Sequence, residues 1–201
     1  MADSPIDFYF DFSSPFGYLA SERIDDIAGR HGRTTVWRPF LLGAVFKIVG
    51  TAPLLDYPMK GDYSRRDMVR SARLHGVPFS LPKEFPTSSI AACRAFYWLS
   101  DRQPGLAKPF ARAVYRRYFV DNKPIEPVAA VIEVASALGV EAGELNAALQ
   151  DSAVKERLKV EVDAGIKRGV FGSPLIFVDG EPFWGADRLD QIERWLETGG
   201  W

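Results

Sequence analysis

Cysteine is almost absent from this chain. Its 201 residues contain one, Cys93. A single cysteine excludes an intrachain disulfide, a Cys-x-x-Cys redox pair and a cysteine-rich zinc site. Histidine is nearly as scarce: His31 and His75 stand far apart in sequence, which argues against a histidine-based metal site. Neither charge dominates. Lys+Arg number 25 against 26 Asp+Glu, a formal charge of −1, so a nucleic-acid partner is not expected, because phosphate-backbone affinity comes mainly from cationic surface. There is no long apolar run either. The longest, Phe40 to Phe46, stops at Lys47 and is far too short to span a bilayer. The opening MADSPIDFYF has no basic n-region and no long apolar h-region, so no secretory signal is expected. Together these absences point to a reducing cytoplasm and no membrane partner.

What remains is ordinary globular composition, with 47% apolar and 25% charged residues. The length suits one generous domain, or a domain carrying an insertion. It is also enough to bury a core without staples. Ile6 to Phe12 (IDFYFDF) reads as an aromatic-rich strand. Ser13-Ser14-Pro15 follows, and Ser before Pro marks a helix start at Pro15. Phe16, Leu19, Ala20, Ile24 and Ile27 give that helix one apolar face, and Gly29 and Gly32 end it. Thr34 to Arg38 reads as a second strand, closing a βαβ unit. Six helical segments come next: 62–74, 88–99, 106–119, 127–138, 141–149 and 153–167. Their arginines (Arg65, Arg66, Arg70 and Arg73; Arg112, Arg116 and Arg117) read as solvated faces paired with acidic neighbours. The chain then returns to β. LIFV, Asp179-Gly180 and EPFW form a hairpin with a type I′ turn signal, and 187–196 is a last amphipathic helix. The order β-α-β, helical block, β-β-α defines an α/β protein with an all-helical insertion. Residues 1–40 and 170–201 make one unit, interrupted by 41–169.

Several residues have two readings. Ser14 is either a plain N-cap or a hydroxyl donor to an anion at a helix N-terminus. It has no neighbouring base and no G-x-S-x-G elbow, so a serine-hydrolase role is not expected. In Trp184-Gly185-Ala186-Asp187, Asp187 either caps the last helix or takes an ammonium while nearby N–H groups take a carboxylate. Lys47 is a solvated helix end or a cation at a pocket mouth. Asp11, out of place in FYFDF, either lies near the helix N-terminus or faces solvent. Cys93, in AACRAFYWL, reads as packing.

Taken together, DFYFDFSSPFGYLA, WRPFLLGAVFKIVGTAP, PMKGDYSRRDM, IEPVAAVIEVASALGV and FGSPLIFVDGEPFWGADRL resemble the 2-hydroxychromene-2-carboxylate isomerases and the kappa-class glutathione transferases. These belong to the DsbA-like branch of the thioredoxin fold, and the resemblance spans nearly the whole chain. It implies a thioredoxin-like fold in which Ser14 and Gly17 stand where thiol oxidoreductases carry two cysteines, so disulfide exchange through that motif is excluded. It implies glutathione as cofactor, with Ser14 bonding the sulfur. Ser173, beside a cis Pro174, pairs with the cysteinyl part. Ala186 and Asp187 hold the γ-glutamyl end, with Trp184 and Gly185 also in the cofactor site, and kappa members often have Ser at the position of Ala186. Thr51 stands where many members have Asn, and Ser88 where bacterial relatives often have Asn. Lys47 matches a lysine near the substrate carboxylate. The resemblance further implies a homodimer and an isomerase acting on an aromatic 2-oxo acid by reversible thiolate addition. Conjugation or peroxide reduction of kappa type is the alternative, and a non-catalytic thioredoxin-fold binding protein is a second.

Overall fold

The computed structural model of the chain describes residues 4–201, apart from the side chain of Lys47. In chain order, β1 (Ile6–Phe10), α1 (Pro15–Ser21), α2 (Ile24–Arg30) and β2 (Thr35–Pro39) come first. Seven helices follow: α3 (Leu42–Val49), α4 (Lys60–Leu74), α5 (Ile90–Arg102), α6 (Pro104–Phe119), α7 (Val128–Ser136), α8 (Ala142–Gln150) and α9 (Ser152–Arg168). A 3-10 turn, Leu54–Asp56, lies between α3 and α4. The chain closes with β3 (Leu175–Val178), β4 (Glu181–Trp184), a 3-10 turn at Ala186–Arg188 and α10 (Leu189–Thr198). The anticipated order β-α-β, helical block, β-β-α is the observed one, but the block holds seven helices rather than six: α3 (Leu42–Val49) is not among those expected.

The four strands form one sheet in the order β2-β1-β3-β4, with β1 parallel to β2 and antiparallel to β3. β1 and β3 are central, which explains why both read as nearly continuous apolar runs. Phe8 and Phe10 stack at 5.1 Å and meet Trp37 of β2 edge-on. Phe10 also touches Tyr115 of α6, joining the sheet to the helices. In α5, Ala92, Cys93 and Ala95 through Leu99 are all buried, so it packs as a central helix, and Cys93 is fully covered among them.

Two local expectations change. The single helix from Pro15 is two helices, broken at Glu22–Arg23 without glycine or proline. The hydroxyl of Ser21 donates back to the Tyr18 carbonyl (2.7 Å), and Arg23 N–H closes a tight turn on Ala20 (3.0 Å). Such back-bonding competes with the helical ladder and bends it. Arg23 then reaches Asp190 of α10 at 2.9 Å. The first strand also stops at Phe10 rather than Phe12, because the Ser14 N–H bonds the Asp11 carbonyl (2.9 Å) and turns the chain into α1. Several helix arginines do find acids: Arg70 pairs with Asp67, Arg112 with Asp25 and Arg117 with Glu133. Among the described residues, no helix is long and apolar enough to cross a membrane.

Candidate functional site

A cavity of about 650 Å³ opens where the ends of β1 and β3 meet α3, α4 and the head of α5. Ser14, Thr51, Ser173 and Trp184 line it together. Ser14 sits at the N-cap of α1 and is 6% exposed. Its Oγ accepts the Gly17 N–H (3.0 Å), and its hydroxyl donates to the Ser173 carbonyl (2.9 Å). The capping reading of Ser14 therefore holds in geometry, and the residue also lines the cavity. α1 has only seven residues, so its macrodipole is short.

The Ser173–Pro174 bond is cis, as is Phe85–Pro86, which also lines the cavity. Ser173 is fixed twice. Its carbonyl takes the Ser14 hydroxyl, and its Oγ accepts the Asp11 backbone N–H (2.9 Å). Pro174 stands behind the lining, its carbonyl bonded by the Gly185 N–H (3.1 Å). Gly185, Ala186 and Asp187 lie outside the cavity lining as well. Ala186 is buried, while the Asp187 side chain is exposed, 3.5 Å from Arg188. Asp187 does not cap the last helix: α10 starts at Leu189, with Arg188 at its N-cap and no side-chain cap. The intervening 3-10 turn moves the helix head two residues on. Thr51 follows α3, whose last turn closes at Gly50, and its N–H bonds the Phe46 carbonyl (2.9 Å). Lys47 lies on α3, and its side chain is outside the described part of the structure.

The remaining walls are mainly apolar and include Phe16, Leu42, Phe46 and Met68. Phe171 and Trp184 form an edge-to-face pair at 5.0 Å, 42% and 58% exposed. Lys60 at the start of α4 is also on the cavity, its ammonium 5.6 Å from the Tyr57 ring centroid. Tyr57 is held by the Ala52 N–H (2.8 Å). Nothing in the sequence pattern distinguished Lys60 from other helix-start lysines. Asp11 is 3% exposed and lies at the cavity floor, which settles its two readings toward the helix N-terminus. Burial pushes its carboxyl up from the ordinary value, against the hydrogen bonds from Ser13, Leu42 and Ser89 that favour ionisation. Burial likewise raises the Cys93 thiol well above its usual value. Buried and neutral, Cys93 is no nucleophile. Among the described residues, no group of three or more His, Cys, Asp or Glu is placed to hold a metal ion.

The sheet, the helical block between its halves and the cis-proline beside a helix N-terminus together define a thioredoxin-type protein. A family model for the DSBA-like thioredoxin domain matches residues 5–197, and the chain belongs to that family. It is 32% identical over 196 residues to the 2-hydroxychromene-2-carboxylate isomerase of Sphingobium xenophagum, covering 95% of this chain and 97% of the relative. It is also 32% identical over 210 residues to glutathione S-transferase kappa 2 of Caenorhabditis elegans, covering 95% and 91%. A solved 2-hydroxychromene-2-carboxylate isomerase superposes with a TM-score of 0.86 at 30% identity, covering 96% of this chain and 95% of that one. These relatives are enzymes.

Proposed function

We propose that the chain is a glutathione-dependent isomerase of an aromatic 2-oxo acid such as 2-hydroxychromene-2-carboxylate. The observation that carries this reading is the Ser14 hydroxyl, set between the Gly17 N–H and the Ser173 carbonyl on the edge of a roomy, largely apolar cavity. When bound, glutathione supplies a thiolate that adds reversibly to a conjugated double bond, leaving a single bond free to rotate before the thiolate departs.

The chain's own residues do the rest. Ser14 turns its hydroxyl from the Ser173 carbonyl to the sulfur. The released carbonyl becomes an acceptor for the cysteinyl N–H. A free thiol has a pKa near 8.5, and a charge-assisted hydroxyl bond favours the thiolate. Asp187 takes the γ-glutamyl ammonium, the N–H groups around Ala186 take its carboxylate, and Thr51 supplies a hydroxyl at the cavity edge. Lys60, and Lys47 on α3, are the cations for the substrate carboxylate. Phe16, Phe46, Phe171 and Trp184 give the ring an apolar, water-poor seat.

The test is turnover of 2-hydroxychromene-2-carboxylate with glutathione far below stoichiometric amounts. Continued turnover with total glutathione unchanged is the expected result. Absence of any glutathione-dependent spectral change removes the reading. The similarity to a kappa-class transferase favours conjugation as the second reading, because the same Ser14 geometry serves both. Stoichiometric loss of glutathione with a haloaromatic electrophile would select it.

A further inference from the structure

Asp11 has no part in the chemistry above, yet every segment around Ser14 converges on it. One carboxylate oxygen accepts the Ser13 N–H (2.8 Å), the Ser13 hydroxyl (2.9 Å) and the Ser89 hydroxyl (2.8 Å). The other accepts the N–H of Leu42 (2.8 Å). Leu42 is the first residue of α3, whose N-cap residue, Leu41, contributes no side-chain bond. Ser89 stands at the N-cap of α5, but its hydroxyl serves Asp11 instead of its own helix. The backbone of Asp11 joins the same knot. Its N–H donates to Ser173 Oγ, and its carbonyl accepts the Ser14 N–H and the Tyr115 hydroxyl (2.9 and 3.0 Å). The groups facing it from α5 and α6 include Cys93, Tyr115 and Tyr118, all pushed up by burial and neutral at ordinary pH.

We propose that Asp11 is a positioning residue for the thiol site, its two carboxyl oxygens holding the heads of α1, α3 and α5 in the one arrangement that aims the Ser14 hydroxyl at the bound sulfur. This rests on the reading of Ser14 as the partner of a glutathione thiol. The four donors are all N–H or O–H groups, and an ionised carboxylate can accept every one of them. An amide cannot: Asp11→Asn must turn an NH2 toward either Leu42 N–H or Ser13 N–H, leaving donor against donor at one backbone group.

The experiment follows thiolate absorbance of bound glutathione against pH in the wild type, Asp11→Asn, Ser14→Ala and the double variant. Positioning and plain electrostatics predict opposite signs. Removing a nearby negative charge should by itself lower the thiol pKa. Loss of the Ser14 aim should raise it. We expect a rise of about one unit, a tenfold smaller thiolate-to-thiol ratio, and no further rise in the Ser14→Ala background, because both changes remove the same interaction. A fall in pKa, or an unchanged pKa with lowered thermal stability, overturns the proposal. Should Asp11→Asn fail to fold, Ser89→Ala removes a single donor and should shift the pKa upward by less; no shift there overturns it too. A wild-type chain that leaves the glutathione thiol at its free pKa refutes the thiol-site reading itself before any variant is compared.

Discussion

Gly17 shows how closely the residues around Ser14 are packed. A Cβ built there would lie 2.7 Å from the Tyr115 hydroxyl and 2.8 Å from Ser173 Oγ. Both oxygens belong to the hydrogen-bonded group around Asp11. Neither can retreat without losing a buried bond, so Gly17→Ala should destabilise the chain by about 1–3 kcal/mol, the usual range for overpacking, measurable as a shifted urea midpoint. An unchanged midpoint would show that the site has slack. The same place shows what a sequence reveals at this scale. Ser14 announced itself, because Ser before Pro is a local signal of a helix start. Asp11 stood out only as an odd residue in FYFDF, and its role stayed hidden because it depends on donors at positions 13, 42 and 89. Nothing local links those positions, and only the fold brings them to one carboxylate. Lys60 was missed for the same reason: its place on the cavity follows from how α4 docks, not from its neighbours in the chain.

At the level of elements, the β3–β4 hairpin was legible in full. Asp179 and Gly180 have φ of +54° and +93°, the positive values a type I′ turn demands at both central positions. The break between α1 and α2 was not legible, because a serine facing back along a helix looks like any other serine in a pattern of apolar spacing. The hairpin turn does more than reverse the chain. Arg33, whose side chain is 6% exposed, donates to Asp179 at 2.7 Å and to the Ser4 carbonyl at 2.8 Å, tying the turn to the N-terminal segment. The Arg33 hydrogen bond holds the Asp179 carboxyl below the usual carboxylate range. A depressed carboxyl contributes stability above its unfolded pKa, near 3.9, and that contribution is lost as pH falls through the lower folded value. Asp179→Asn keeps a residue that tolerates positive φ and removes the charge together with one of the two oxygens that accept from Arg33. It should lower the unfolding free energy at pH 7, by about 1 kcal/mol or less since Asp179 is partly in water. At pH below 3 the difference should shrink toward zero. A loss of equal size at both pH values would mean that the charge is not what the turn uses.

Across the whole molecule, the cavity draws its walls from both parts of the chain. Ser14, Ser173 and Trp184 come from the strand-bearing ends, while Thr51, Lys60 and Ser89 come from the helical block between them. A ligand that spans these walls stabilises the docked arrangement as a unit, and unfolding must release it. Glutathione at one hundred times its dissociation constant should therefore add roughly 2.7 kcal/mol, or about 5–10 °C in Tm for a chain of this length. The pH dependence of that gain carries the more specific information. If the site prefers the thiolate, the dissociation constant falls as pH rises through the bound-thiol pKa and levels off only above the free-thiol pKa. The Tm gain at fixed glutathione should then grow between about pH 6 and pH 8.5. S-methylglutathione has no thiol proton to lose, so its gain should stay flat over the same range. Parallel curves for the two ligands would leave peptide binding intact but would remove thiolate stabilisation from the role of Ser14. With it would go the chemical reason for placing a serine where redox relatives of this fold carry a cysteine.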